Sequence, residues 1–228
     1  MDEKKHCCAA SGKRASVKIV GVGAGPGMLT QKAIDAIKNA RHVYGSARAL
    51  GLAKEHIRGD ATVLESYDLR VEDDACILST GDPMLSGLGR KAPHDAEIIP
   101  GISSSQLACA RLKVDATDIV AVTTHGKEPS QSKKMLQEVA LLNRDLFVLA
   151  DPSFDLVDIC AYWDSLGYDG EVVVLEDLGY ETEKVSHGRI TSPPKRESPL
   201  FCAVVRNLAQ KKQKKKRPTG YPFRLADG

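Results

Sequence analysis

The sequence predicts an α/β protein, and three observations carry that prediction. Short β-branched runs break into glycine or serine-rich turns. The stretches between them place apolar residues at three- and four-residue spacing, and the two kinds of segment alternate along the chain. Strands alternating with helices imply a largely parallel sheet.

Residues 17–22 (VKIVGV) form a β-branched run that enters glycine, the mark of a buried strand. Residues 29–40 then place Ala33, Ile34, Ile37 and Ala40 on one helical face, with Thr30 as the cap. HVYG, TVLES and ACILST are further short strands, separated by helical segments at 46–57 and 84–92. EIIP is another strand, and PGISSSQLACARL returns to a helix with a serine-rich start.

A polar stretch after Leu112 marks a change, so the N-terminal α/β domain spans 17–117 and a C-terminal α/β domain spans 118–207. In that second domain DIVAVTTHG, DLFVLAD and EVVVLEDLG are strands, while KKMLQEVALLN and FDLVDICAYWDSLG are helices. KVSHGRI and LFCAVVRN close the sheet as later, antiparallel strands. SPPKRESP between them is a loop, because prolines remove ladder donors.

Charge separates the ends from the body. The net charge is +2, yet the basic tail 208–228 carries +6 and the flexible N-terminal segment 1–16 carries +2, leaving about −6 for the rest. The run from Lys211 to Arg217 in that tail has no interleaved aromatics and no groove-reading motif, so it is read as solvated and not as a nucleic-acid surface. No stretch approaches the roughly 18 apolar residues that span a bilayer, and MDEKKHCC has no signal-peptide core, so no membrane role and a cytoplasmic location are expected. The six cysteines, at 7, 8, 76, 109, 160 and 202, show no repeated spacing and four sit in apolar surroundings. They are read as small hydrophobes in a reducing compartment, and no metal site is expected.

Three turns carry chemistry. The run from Gly21 to Gly27 (GVGAGPG) invites a dinucleotide loop, but its spacing forbids one: from Gly21 the third glycine falls on Pro26, and from Gly23 on Met28. No Lys-Ser/Thr pair comes after it, which excludes a phosphate-binding P-loop. A close-approach turn at a strand end remains, where α/β sheets bind ligands. In STGDPMLSG, Pro83 fixes a turn and Asp82 can cap the next helix or accept hydrogen bonds from a ligand. In PGISSS, hydroxyls and backbone N–H groups meet at a helix start, for a cap or for a ligand.

In their order along the chain, GVGAGPGMLT, STGDPMLSG, IPGISSSQLA, VTTHG and VLEDLGY resemble the tetrapyrrole (precorrin) methylase family. The resemblance spans about 17–207. YGSARAL, PGISSSQLACARL, LADP and LEDLGYETEKV are similar to segments of its cobalt-precorrin-7 C5-methyltransferases, which act in anaerobic cobalamin biosynthesis. The resemblance implies two α/β domains with S-adenosylmethionine in the cleft between them, a homodimer, and a tetrapyrrole substrate.

Carried over by motif, it implies that Ala24, Gly81, Asp82, Leu85, Ser103 and Ser104 hold the cofactor, with Ala150 and Asp177 closing from the second domain. Arg48, His125 and Lys127 are candidates for the substrate's carboxylates, as are Arg111 and Lys113, for which a solvated helix end is the favoured reading. His125 is also the candidate base, although an ordinary turn histidine has the same sequence signature. No Ser-His-Asp or Cys-His set stands out, which suits a reaction driven by alignment of donor and acceptor. Two alternatives stay open: the same fold methylating another precorrin, uroporphyrinogen, a diphthamide precursor or ribosomal RNA, and a non-catalytic nucleotide-binding module.

Overall fold

The computed structural model describes residues 16–64, 69, 71–72 and 74–211. Cys7, Cys8 and the tail beyond Lys211 lie outside them. Two five-stranded sheets form, one from each half of the chain. The first contains β1 (Lys18–Gly21), β2 (His42–Gly45), β3 (Asp60–Val63), β4 (Cys76–Ser79) and β5 (Glu97–Ile99) in the order β3-β2-β4-β1-β5, and every pairing is parallel.

Helices α1 (Gln31–Asn39) and α2 (Ala47–Ala53) make the crossovers. Thr30 caps α1 as its sequence position indicates, its hydroxyl accepting from the Ala33 N–H. Ala33 and Ile37 turn inward onto Val20, Val22, Val43 and Leu78. Helix α3 (Ser104–Leu112) comes after β5 and begins in a capping box: the Ser103 hydroxyl accepts from Gln106 N, and the Gln106 side chain accepts from Ser103 N.

The expected helix at 84–92 does not form. Only a short 3-10 turn, Leu88–Lys91, is present. Ser86 takes a positive φ of 55°, and Gly87 and Gly89 press against the Pro83 carbonyl, where a helical path cannot run. The strand expected at TVLES starts earlier, at Asp60, and Glu65 and Ser66 lie outside the described residues.

The second sheet contains β6 (Ile119–Thr123), β7 (Asp145–Leu149), β8 (Tyr168–Glu176), β9 (Lys184–Arg189) and β10 (Phe201–Gln210) in the order β6-β7-β10-β8-β9. β6 and β7 are parallel, and the other pairings are antiparallel, as expected of the last two strands. Helix α4 (Pro129–Ala140) starts four residues before the amphipathic stretch at Lys133, because Pro129 is suited to the first helical position. Helix α5 (Leu156–Ser165) is capped by Asp155, which accepts from Val157 N and Asp158 N. Its Trp163 is fully buried and donates its indole N–H to the Leu136 carbonyl of α4 at 3.1 Å.

One apolar cluster joins the halves. Phe147, Val173, Leu175, Cys202 and Val204 of the second sheet pack against Ala108, Leu107 and Leu112 of α3 and against Leu85. Helix α3 is therefore shared: its start belongs to the first sheet's loops, and its apolar face lies on the second sheet.

Candidate active site

The order β4-β1-β5 places three loops side by side at the C-terminal edge of the first sheet: those after Gly21, Ser79 and Ile99. They touch backbone to backbone. A Cβ built on Gly21 would stand 2.5 Å from Gly101 N and 2.8 Å from the Gly81 carbonyl, and one on Gly101 would collide with that same carbonyl. Gly23 and Gly81 exchange backbone hydrogen bonds, Gly81 N to Gly23 O at 2.8 Å and Gly23 N to Gly81 O at 3.3 Å. Most of these glycines thus serve loop packing. Gly81 differs, since it takes φ +68° and its added Cβ would meet only the Ser103 Cα at 3.9 Å. That side of the turn is open to a ligand.

Asp82 uses both carboxylate oxygens inside the protein. One accepts from Met84 N at 2.7 Å and the other from Gly101 N at 3.1 Å. It caps no helix, and instead ties the GDP turn to the PGISS turn across 19 residues. Ser103 is buried, and its hydroxyl is occupied by Gln106 and by Ser105 Oγ at 3.0 Å. Ala24 is buried beside the Gly23 bridge, Ser104 opens α3, and Leu85 packs into the cluster shared by both sheets.

The second half contributes two loop pairs. Ala150 is buried at the end of β7, next to Asp151. The Asp151 carboxylate accepts from Ser153 N and Ser153 Oγ, and from Gly126 N and the His125 ring Nδ1 at 3.3 Å each. Those donors, Ser153 foremost, hold its carboxyl down at about 2. His125 is therefore oriented by a carboxylate while its ring stays 46% exposed. Lys127 donates to the Thr123 carbonyl at 2.6 Å, and partial burial followed by the nearby Arg90 guanidinium lowers its pKa from the usual lysine value. Arg90 belongs to the first half, so cations from both halves approach one another here.

Asp177 takes a positive φ of 48° and accepts from Ser198 Oγ at 2.6 Å and Thr182 Oγ1 at 3.1 Å. It lines a surface pocket with Glu176, Thr182, Lys184, Glu197 and Ser198. The turn itself reaches those loops, since a Cβ on Gly25 would stand 2.9 Å from the Gly179 carbonyl.

Ala24, Gly81, Asp82, Leu85, Ser103 and Ser104 thus gather at one sheet edge, with the Asp177 turn against it. Ala150, His125 and Lys127 gather at the neighbouring edge of β6 and β7. Arg48 stands apart, at the start of α2 behind β2, with β4 between it and β1. Arg111 is not free for a substrate, because Glu183 takes it in a two-pronged ion pair. Sequence reasoning missed Arg90, Asp151 and Glu183. The LADP and LGYETEK motifs contain two of them, but nothing local names their partners.

Burial pushes the thiols of Cys76, Cys160 and Cys202 up to about 12, so they offer no thiolate nucleophile. Among the described residues no cluster of three or more His, Cys, Asp or Glu side chains is arranged to hold a metal ion. Among them also, no helix is long and apolar enough to cross a membrane.

The model of the Tetrapyrrole (Corrin/Porphyrin) Methylases matches residues 18–194. A probable cobalt-precorrin-7 C(5)-methyltransferase of Methanocaldococcus jannaschii is 36% identical over 188 residues, covering 72% of this chain and 86% of that protein. The crystal structure of a cobalamin biosynthesis precorrin-6Y methylase from Archaeoglobus fulgidus superposes with a TM-score of 0.65 at 34% identity, covering 85% of this chain and 98% of the other. A cobalt precorrin-4 methyltransferase structure, 18% identical, superposes at 0.66 over 84% of this chain and 95% of its own, and shows the fold alone.

Proposed function

The chain belongs to the tetrapyrrole (corrin/porphyrin) methylase family, and from that premise we propose that it methylates C5 of cobalt-precorrin-7 with S-adenosylmethionine as donor. The observation that carries this reading is the identity to the Methanocaldococcus jannaschii protein across 86% of that protein's length. The geometry is compatible with it: three backbone-stacked loops, one with an open glycine face, stand against a turn from the other half.

The residues present fit such a cofactor. Gly81 has room for a ligand beside it, and Ala24, in the first glycine loop, and Ala150, at the end of β7, are small and buried. Gly81 and Ala24 would hold the cofactor from the first half, with Ser104 at the start of α3. Asp82 and Ser103 act by fixing the backbone around it, since their polar atoms are engaged within the protein. Leu85 anchors the GDP turn to the second sheet. Ala150 and the Asp177 turn form the opposite wall.

When bound, the cofactor supplies a methyl group on a sulfonium centre, and a ring carbon of an electron-rich macrocycle can take it without an enzymic nucleophile. The protein's own task is alignment and exclusion of water. Lys127 and Arg90 place positive charge where the body is otherwise acidic, which answers the carboxylate fringe of a tetrapyrrole. His125, whose ring is oriented by Asp151, is our candidate to accept a proton from the methylated ring. Arg48, set apart at the start of α2, is left as the outlying candidate for a peripheral carboxylate. The protein acts as a cytoplasmic homodimer in this reading, which light scattering at working concentration tests.

The deciding experiment is incubation with methyl-labelled S-adenosylmethionine and cobalt-precorrin-7, followed by NMR location of the new methyl. Addition at C5 is the expected result. Addition at another carbon would move the chain to a different acceptor within the same family, and absence of S-adenosylhomocysteine binding by calorimetry would defeat the enzyme reading altogether.

A further inference from the structure

Arg111 lies on the last turn of α3 and reaches across to the other half of the molecule. Its Nε and Nη2 donate to the two carboxylate oxygens of Glu183, at 2.5 and 3.0 Å. The same carboxylate accepts the Gly179 N–H at 2.8 Å, so one side chain grips both α3 and the turn that leads from Asp177 to β9. Gly179, at φ +83°, is the residue that meets the first glycine loop: its carbonyl faces Gly25, and the Met28 side chain fills the space its own Cβ would need.

Leu107, one helical turn before Arg111 on the same face of α3, also packs beside Gly179, 3.5 Å from that Cβ position. The Arg111 side chain is 44% exposed and Glu183 17%, so it is the two-pronged geometry together with the Gly179 N–H, and not burial, that distinguishes this from a loose surface pair. The hydrogen bond with Arg111, the largest cause, holds the Glu183 carboxyl below the usual carboxylate range, so the pair is charged at neutral pH.

We infer that Arg111 and Glu183 are a positioning pair that sets the distance between the glycine-loop wall and the 177–183 wall of the cofactor cleft. The inference rests on the cleft being the cofactor site, and it adds a role to two residues that do not touch the cofactor. Helix α3 is the lever: its N-terminal end carries Ser103 and Ser104 into the first wall, and its C-terminal end holds the second. Loss of the ion pair frees the turn to move away from Gly25 while both sheets stay folded, because the shared apolar cluster is untouched.

The test compares the wild type with Arg111→Ala, Arg111→Lys and Glu183→Gln. Two readouts are needed: the dissociation constant for S-adenosylhomocysteine by calorimetry, and amide hydrogen exchange across the whole chain. Arg111→Ala is expected to weaken binding about tenfold, on the scale of a lost charge-assisted hydrogen bond. It should also speed exchange in both 22–28 and 177–183, segments from opposite halves. Arg111→Lys, which keeps charge without the fork, should fall between, and Glu183→Gln controls for bulk at the turn. Binding within twofold of wild type, with faster exchange confined to 108–113 and 177–183, would overturn the inference. A wild type that binds no S-adenosylhomocysteine defeats the cofactor reading instead, and the exchange pattern then judges the link between the walls by itself.

Discussion

The two halves hold their loops by opposite means. At the edge of the first sheet, Gly21, Gly23, Gly81 and Gly101 let three loops stack main chain on main chain. At the edge of the second, carboxylates make the ties: Asp151 binds the Gly126 and Ser153 amides, Glu176 accepts from Glu197 N and Ser198 N, and Asp177 takes two hydroxyls. The difference comes from connectivity. Parallel neighbours in the first sheet end side by side, so their loops crowd and any Cβ is an obstacle. In the mixed second sheet, loops leave in both directions, and longer reaches are spanned by side chains. Glycine loops resist added volume, whereas carboxylate ties respond to loss of charge.

Phe147→Ala should have the largest effect, because its ring is fully buried in the cluster shared by the two halves. A loss of about 3–5 kcal/mol is expected in denaturant unfolding. A second, separate transition in the variant would show that the halves are coupled through this cluster, while a single transition at unchanged midpoint would count against it.

Gly101→Ala comes next. Its new methyl would meet the Gly81 carbonyl, with a cost of about 1–3 kcal/mol and a larger proportional loss of S-adenosylhomocysteine binding, since the loops must part. Normal binding in this variant would mean that stacking does not shape the cofactor edge.

Asp155→Ala probes the side-chain method. It removes a cap that accepts two amides at the start of α5, and about 1 kcal/mol should be lost in thermal unfolding with cofactor affinity unchanged. A matching drop in affinity would erase the distinction between the halves.

The smallest effect is pH-dependent. The Asp151 carboxyl is lowered to about 2, so its contribution is fully present above the ordinary aspartate pKa of about 3.9 and is lost as pH falls through about 2. The stability gap between wild type and Asp151→Asn should therefore be constant from pH 7 to about 4 and close between about 4 and 2. A gap that is flat down to pH 2 would mean the carboxylate is not stabilised by the His125, Gly126 and Ser153 donors.

Much of the fold was legible because its signals are local. Thr30, Ser103 and the β-branched runs act on residues within four positions, and capping or strand pairing results from them directly. The segment 84–92 failed for the same reason inverted. Its composition permits a helix, but Gly87 and Gly89 are drawn against Pro83 by loop packing that no local pattern encodes. In the site, Asp82 was legible as an unusual residue, yet its second partner, Gly101 N, lies 19 residues away.

By itself the sequence determined the order of strands and helices outside 84–92, the chain's family, and which turns are rich in glycine, since periodicity and motif order survive without coordinates. Only the tertiary structure decided what those glycines and charges do. Strand order β4-β1-β5 turned most of the glycines into packing contacts, and folding brought Arg111 to Glu183 across 72 residues and His125 to Asp151 across 26. Such pairings depend on where two distant elements come to rest: burial of the shared apolar cluster sets α3 against the second sheet for the first, and pairing of β6 with β7 sets the second.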